Sequence, residues 1–121
     1  MQSFEVPREQ WDHFLTDLSQ SHQGWQATIE LQSPDFGAQH VADKVPLQGI
    51  NFEVAGTQAG SIEIGVGEVD TFLTHLVEHP THVRVAEAES GVDVAVEIES
   101  ESGPVTLLQL HPAPEIPDQL D

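Results

Sequence analysis

Apolar and polar residues alternate most regularly over residues 92–110, VDVAVEIESESGPVTLLQL. Val92, Val94, Val96 and Ile98 hold one phase; Asp93, Ala95, Glu97 and Glu99 hold the other. A period of two sends the first set to one face of a strand and the second to the opposite face. Ser100, Glu101, Ser102 and Gly103 supply a turn, and residues 105–110 return as a more apolar strand. The segment predicts a β-hairpin.

A different period governs the N-terminal part. Trp11, Phe14, Leu15 and Leu18 fall at i, i+3, i+4 and i+7, one apolar stripe on a helix over residues 7 to about 22. Pro7 suits a first helical position, Glu9 complements the helix dipole, and Gly24 is a C-terminal stop. Such a stripe covers a sheet far more often than it lines a ligand pocket. It is expected to pack beside Trp25, Ile29, Val94 and Val96.

Strand patterns recur between these two segments. Trp25, Ala27, Ile29 and Leu31 alternate with polar residues, and Pro34, Asp35 and Gly37 mark a turn. Residues 40–47 read as a returning strand, with Pro46 arguing for an edge or a strand end. Ile50, Phe52 and Val54 give a short strand, residues 55–60 a loop, and residues 61–66 a strand with Ile62, Ile64 and Val66 inward. Residues 69–78 fit helical spacing as well as a hairpin return. The need of the preceding strand for a partner favours a strand ending before Pro80. Val83 and Val85 place residues 82–87 on a strand, with a turn at Glu89, Ser90 and Gly91. Residues 112–121 carry Pro112, Pro114 and Pro117 and no periodicity, which reads as a loose tail behind a single domain of residues 1–111. The fold expected is α+β and mostly β. One N-terminal amphipathic helix packs on a curled antiparallel sheet of about seven strands, a small barrel-like roll or sandwich. No crossover helices occur, which excludes a parallel nucleotide-binding sheet.

Composition adds one strong feature. Three basic residues stand against 21 acidic ones, a formal net charge of −18 over 121 residues. Nucleic acid and anionic membrane surfaces would be repelled, so neither is expected as a partner. The acids either form a surface for a basic partner or divalent cations, or reflect adaptation to high salt, where carboxylates keep the surface solvated. Their dispersal along the chain and the single lysine, Lys44, favour the saline reading. With no cysteine, disulfides, thiolate metal sites and cysteine nucleophiles are excluded. The N-terminus does not read as a signal peptide, and no apolar run approaches the roughly 20 residues of a membrane helix. A cytoplasmic location is expected.

The order Trp11…Phe14, Gly24-Trp25, Pro46-Leu47…Gly49-Ile50, Thr74-His75…His79-Pro80-Thr81, Ile98-Glu99-Ser100…Gly103 and Thr106-Leu107-Leu108 resembles a family of small uncharacterised bacterial proteins. The resemblance runs from residue 8 to residue 110. It implies a single domain in a bacterium, favours a strand at residues 72–77, and implies no activity. The chain is more acidic than that family would suggest, which again points to habitat.

Candidate chemistry is sparse. His75, His79 and His82 lie in HLVEHPTH, and imidazoles at such spacings could converge on zinc or nickel. Pro80 ends any helix that would align them. On a strand His75 and His79 stand roughly 13 Å apart at about 3.3 Å per residue. No tight metal site is therefore expected, and no catalytic or cofactor-binding residue is assigned. Gly65-Val66-Gly67 lacks the rest of a phosphate-loop pattern, and no serine sits in a nucleophile motif. The leading reading is a non-enzymatic binding or assembly module, with a homodimer or another protein as partner. A histidine-based metal or cation binder and a small hydrolase or isomerase with a pocket in the curved sheet are the alternatives.

Overall fold

The computed structural model describes residues 2–57, 59–87, 93–101 and 103–112. Eight antiparallel strands form one sheet in the order β1-β6-β7-β8-β2-β3-β4-β5. In chain order they are β1 (Gln2–Val6), β2 (Gln26–Ser33), β3 (Gly37–Phe52), β4 (Ile62–Val66), β5 (Leu73–Val77), β6 (Pro80–Glu87), β7 (Val94–Ser100) and β8 (Val105–His111). The one α-helix among the described residues, α1 (Trp11–Ser21), follows β1 through a 3₁₀ turn at Arg8–Gln10. Another 3₁₀ turn, Val69–Thr71, precedes β5.

Connectivity makes the sheet curl. β5 is last in the strand order and β6 is second, yet only Glu78 and His79 join them. The two ends of the sheet must therefore lie close, and the result is an open roll. His79 takes φ 53°, a left-handed backbone that histidine tolerates better than most residues and that a link this short requires.

Alternation decides which residues face inward. Across neighbouring strands Phe4, Val85, Val96, Leu108 and Ile29 form one row by register. Val6, Val83, Ile98, Thr106 and Leu31 form the next. These belong to the interior face, with Ile62, Ile64 and Val66 of β4 closing the far side, all three essentially inaccessible to water.

β3 is where sequence pattern and structure part most. The expected strands at residues 40–47 and 50–54 are one long strand, which pairs with β2 through Pro46 and then with β4 from Leu47 onward. Pro46 is neither an edge nor an end. It sits at the corner where β2 stops, its carbonyl accepts from Gly67 N–H, and the next amide, Leu47, donates to Trp25. The missing proline N–H therefore costs the ladder nothing. Beyond that corner α1 and the turn after it replace β2 as the neighbour of β3. Gly24 N–H donates to the Leu47 carbonyl, the Gln23 side chain donates to the Gln48 carbonyl, and Ile50 N–H donates to Ser19 Oγ at 3.0 Å. Trp11, Leu15 and Leu18 are buried and Phe14 is half-buried. Trp11 donates its indole N–H to the Val6 carbonyl at 2.9 Å and meets Phe52 edge-on. The helix backbone thus lies chiefly against β3, and its buried stripe belongs to the same core as Ile29, Val94 and Val96, with Trp25 packed against it.

Three further differences have local causes. β1, unforeseen in the sequence, adds to β6 as an edge strand and places Phe4 edge-on to Phe14. Val54 lies past the end of β3 and is exposed. Residues 69–71 are a 3₁₀ turn, so Val69 points to solvent while the strand starts only at Leu73. Val92, the Glu89–Gly91 turn, Ser102 and the tail beyond residue 112 lie outside the described residues.

Candidate binding site at the open seam

The histidines of HLVEHPTH go three separate ways. His75 is on the interior face of β5, paired with Ile64 of β4, and its Nε2 lies 3.2 Å from Thr106 Oγ1 on β8. Burial lowers its pKa below the ordinary imidazole value, so the neutral ring is favoured. His79 occupies the tight link to β6. His82 is on the outer face of β6, with Nδ1 2.7 Å from Glu5 Oε2 on β1. Among the described residues no group of three or more histidines and carboxylates is placed to hold one metal ion.

The outer face of β1, β6 and β7 carries the densest charge cluster. Glu5, Arg84 and Glu97 are cross-strand neighbours. Arg84 donates to Glu97 at 3.2 Å and also to Glu99, while its Nε lies 3.6 Å from Glu5. The His82 hydrogen bond first, and the charges of His82 and Arg84 after it, hold the Glu5 carboxyl below its usual range. The Glu99 hydrogen bond leads in raising the Arg84 pKa. Arg84 and His82 both face carboxylates of neighbouring strands, so the cluster fastens β1 to β6 and β6 to β7 across their exposed face.

A different region is less satisfied. β5 ends the strand order, so among the described residues one of its edges has no strand beside it. Natural edges are blunted with lysine, proline or inward charges; β5 reads LTHLV and has none. Its exposure falls from 39% at Leu73 to 5% at Val77. The Val77 end is closed by the hairpin between β7 and β8, whose Glu101 N–H donates to the His79 carbonyl at 3.0 Å. Next to the open end stand Val69, 96% exposed, and Phe72, 54% exposed. The Phe72 ring lies over Gly65, where a side chain would collide with it.

Along the interior side of β5 runs a groove of about 200 Å³, lined by Leu31, His75, Val77, Ser100, Pro104 and Thr106 among others. It is mostly apolar, with the His75–Thr106 pair as its polar contact and Glu78 at its rim. None of the three cations sits on β4, β5 or the turn between them. Arg8 lies over the Trp11 and Phe52 rings, Lys44 is on β3, and Arg84 is held by glutamates. Glu63, Glu68, Asp70 and Glu78 surround the strand along the chain. The arrangement can take up an extended chain or a small apolar group.

Residues 2–119 match the model of a family described as a family of unknown function, DUF5335. The chain belongs to that family. A relative, an uncharacterized protein of Aquifex aeolicus (strain VF5), is 26% identical over 113 residues, 93% of this chain and 96% of its own. Among solved structures, the crystal structure of the Bacillus subtilis YojF protein is similar with a TM-score of 0.55 at 11% identity, covering 97% of this chain and 100% of that one. This likeness is one of fold alone. Among the described residues no helix is long and apolar enough to cross a membrane.

Proposed function

We propose that the protein is a non-enzymatic binding module that accepts an extended segment of a basic partner protein as a ninth strand on β5. The observation that carries this reading is the unblocked β5 edge, with Val69, Phe72 and Leu73 exposed beside its open end. Strand addition satisfies the unpaired backbone groups of an edge and draws affinity from main-chain hydrogen bonds. Charge selects the kind of segment. Two copies of a chain with net charge −18 would bring Glu68, Asp70 and Glu78 of each against the other, whereas a basic segment relieves the same field. That excess of acids also disfavours nucleic acid. The remaining acids, dispersed along the chain, fit a cytoplasm of high salt, and the absence of cysteine fits a reducing compartment. Residues 1–111 form the working domain in this reading, with residues 112–121 as a tail.

The test uses a capped synthetic peptide in which lysine alternates with valine and leucine, and a copy N-methylated at alternate amides. Saturable binding of the first, with slowed hydrogen exchange at Leu73–His75, is expected, and the methylated copy should not bind. Equal binding of both peptides would rule out strand addition.

A further inference from the structure

We infer that the groove beside His75 is a specificity pocket that seats one uncharged aliphatic side chain of the accepted segment. The inference rests on the strand-addition reading and adds to it the residue class that the partner must present.

Register supplies the first step. Leu73, His75 and Val77 are the inward residues of β5, since they pair with Val66, Ile64 and Ile62, all buried. A strand added beside the open part of β5 alternates in the same phase, and the residue next to His75 points inward with it. Inward of this position is the groove of about 200 Å³, whose opposite wall is Leu31, Pro104 and Thr106. That volume admits one side chain of valine-to-methionine size and not a row of them.

Chemistry supplies the second. The inner wall is largely Leu31, Val77 and Pro104; the His75–Thr106 pair is joined at 3.2 Å and Ser100 donates to the Pro104 carbonyl. Thr106 is 2% exposed and the one carboxylate of the groove, Glu78, stands at its exposed rim, so a charge seated against Thr106 would lose its water away from Glu78. Lysine and arginine of the segment are therefore confined to the outward phase, the phase of Leu76 and of its β4 neighbour Glu63. The partner motif is alternation, with basic residues outward and an aliphatic anchor inward at the position beside His75.

Salt gives the third step. At molar salt the Debye length shrinks to about 3 Å, and attraction between exposed charges fades. In that solvent the anchor and the backbone hydrogen bonds carry the affinity, and the anchor alone distinguishes one basic segment from another.

The experiment compares the lysine–valine–leucine peptide with copies in which each apolar residue in turn is serine, by fluorescence anisotropy at 0.1 M and 2 M NaCl. One central replacement should weaken binding roughly ten- to hundredfold, the worth of one buried aliphatic side chain, with the ratio preserved at high salt. On the protein, Leu31→Phe narrows the groove and should weaken the parent peptide while leaving the serine copy unchanged. Parent and serine copies binding equally would overturn the pocket and leave strand addition standing. If neither copy binds, both readings fall together.

Discussion

Ser19→Ala probes the point at which a helix substitutes for a strand. Ile50 is 4% exposed, and its amide points away from β4 to the Ser19 hydroxyl at 3.0 Å. No strand flanks β3 there, because β2 ends beside Pro46. Removing the hydroxyl leaves a buried N–H without an acceptor, which costs about 1–3 kcal/mol. Alanine's better helix propensity returns at most about 0.5 kcal/mol. The net loss should be about 0.5–3 kcal/mol. With an unfolding entropy of about 2.1 cal/mol/K per residue, that corresponds to about 2–12 °C in Tm for a chain of this length. Urea unfolding of wild type, Ser19→Ala and the exposed control Ser21→Ala gives the energies. Native-state hydrogen exchange reports the Ile50 amide directly. A loss below about 0.5 kcal/mol with Ile50 still protected would refute the assignment of this hydrogen bond as a structural tie.

Four other outcomes are expected. The thermal midpoint should rise from 0.05 to 2 M NaCl as screening relieves the −18 charge, beyond the effect of a neutral osmolyte; a flat or falling midpoint returns the acids to a purely functional role. His75 has a folded pKa lowered by burial, so near neutral pH both states are unprotonated and its contribution is complete. As pH falls below about 6.5 the unfolded chain binds a proton that the folded chain resists, so wild type should lose stability relative to His75→Gln between pH 7.5 and 5. Gly67→Ala should cost more than Gly65→Ala in urea unfolding: Gly67 has φ 108° and its added Cβ would sit 2.5 Å from the Thr71 carbonyl oxygen, whereas the neighbour at Gly65 is the movable Phe72 ring. Equilibrium dialysis against zinc should give no stoichiometric uptake that depends on His75 and His79 together, since one faces the interior and the other lies in the link to β6.

What the chain discloses about its fold follows from how one-sided each element is. The residues of β7 and β8 alternate because one face is core and the other water, and the hairpin is plain in the sequence. The α1 stripe is equally plain, but its partner is not: helical spacing gives the buried face and not which strand lies beneath it. β1 is hidden because only Phe4 and Val6 face inward, and Phe4 remains half exposed. β3 was divided by Pro46, a residue that breaks a ladder only where an N–H is needed. The candidate site was least legible. Leu31, His75, Pro104 and Thr106 come from three strands and a turn, and only the curl of the sheet brings them to one groove. His75, a weak metal candidate by its spacing, lies beside Thr106 in that groove.

The strand order also sets a timetable for the nascent chain. β1 is made first, yet its neighbour is β6, and Val6 meets Val83. β2 cannot be completed until Val105–His111 arrives to form β8 on its other side. At synthesis rates of about 5–20 residues per second, β1 waits on the order of 4–16 s for its partner. Through that interval the helix and the first half of the sheet have their interior faces uncovered, and they become a roll only once β8 has been made. Protection from aggregation in that window must come from the acids themselves, which keep the unfinished polypeptide dispersed before there is any core to hold it.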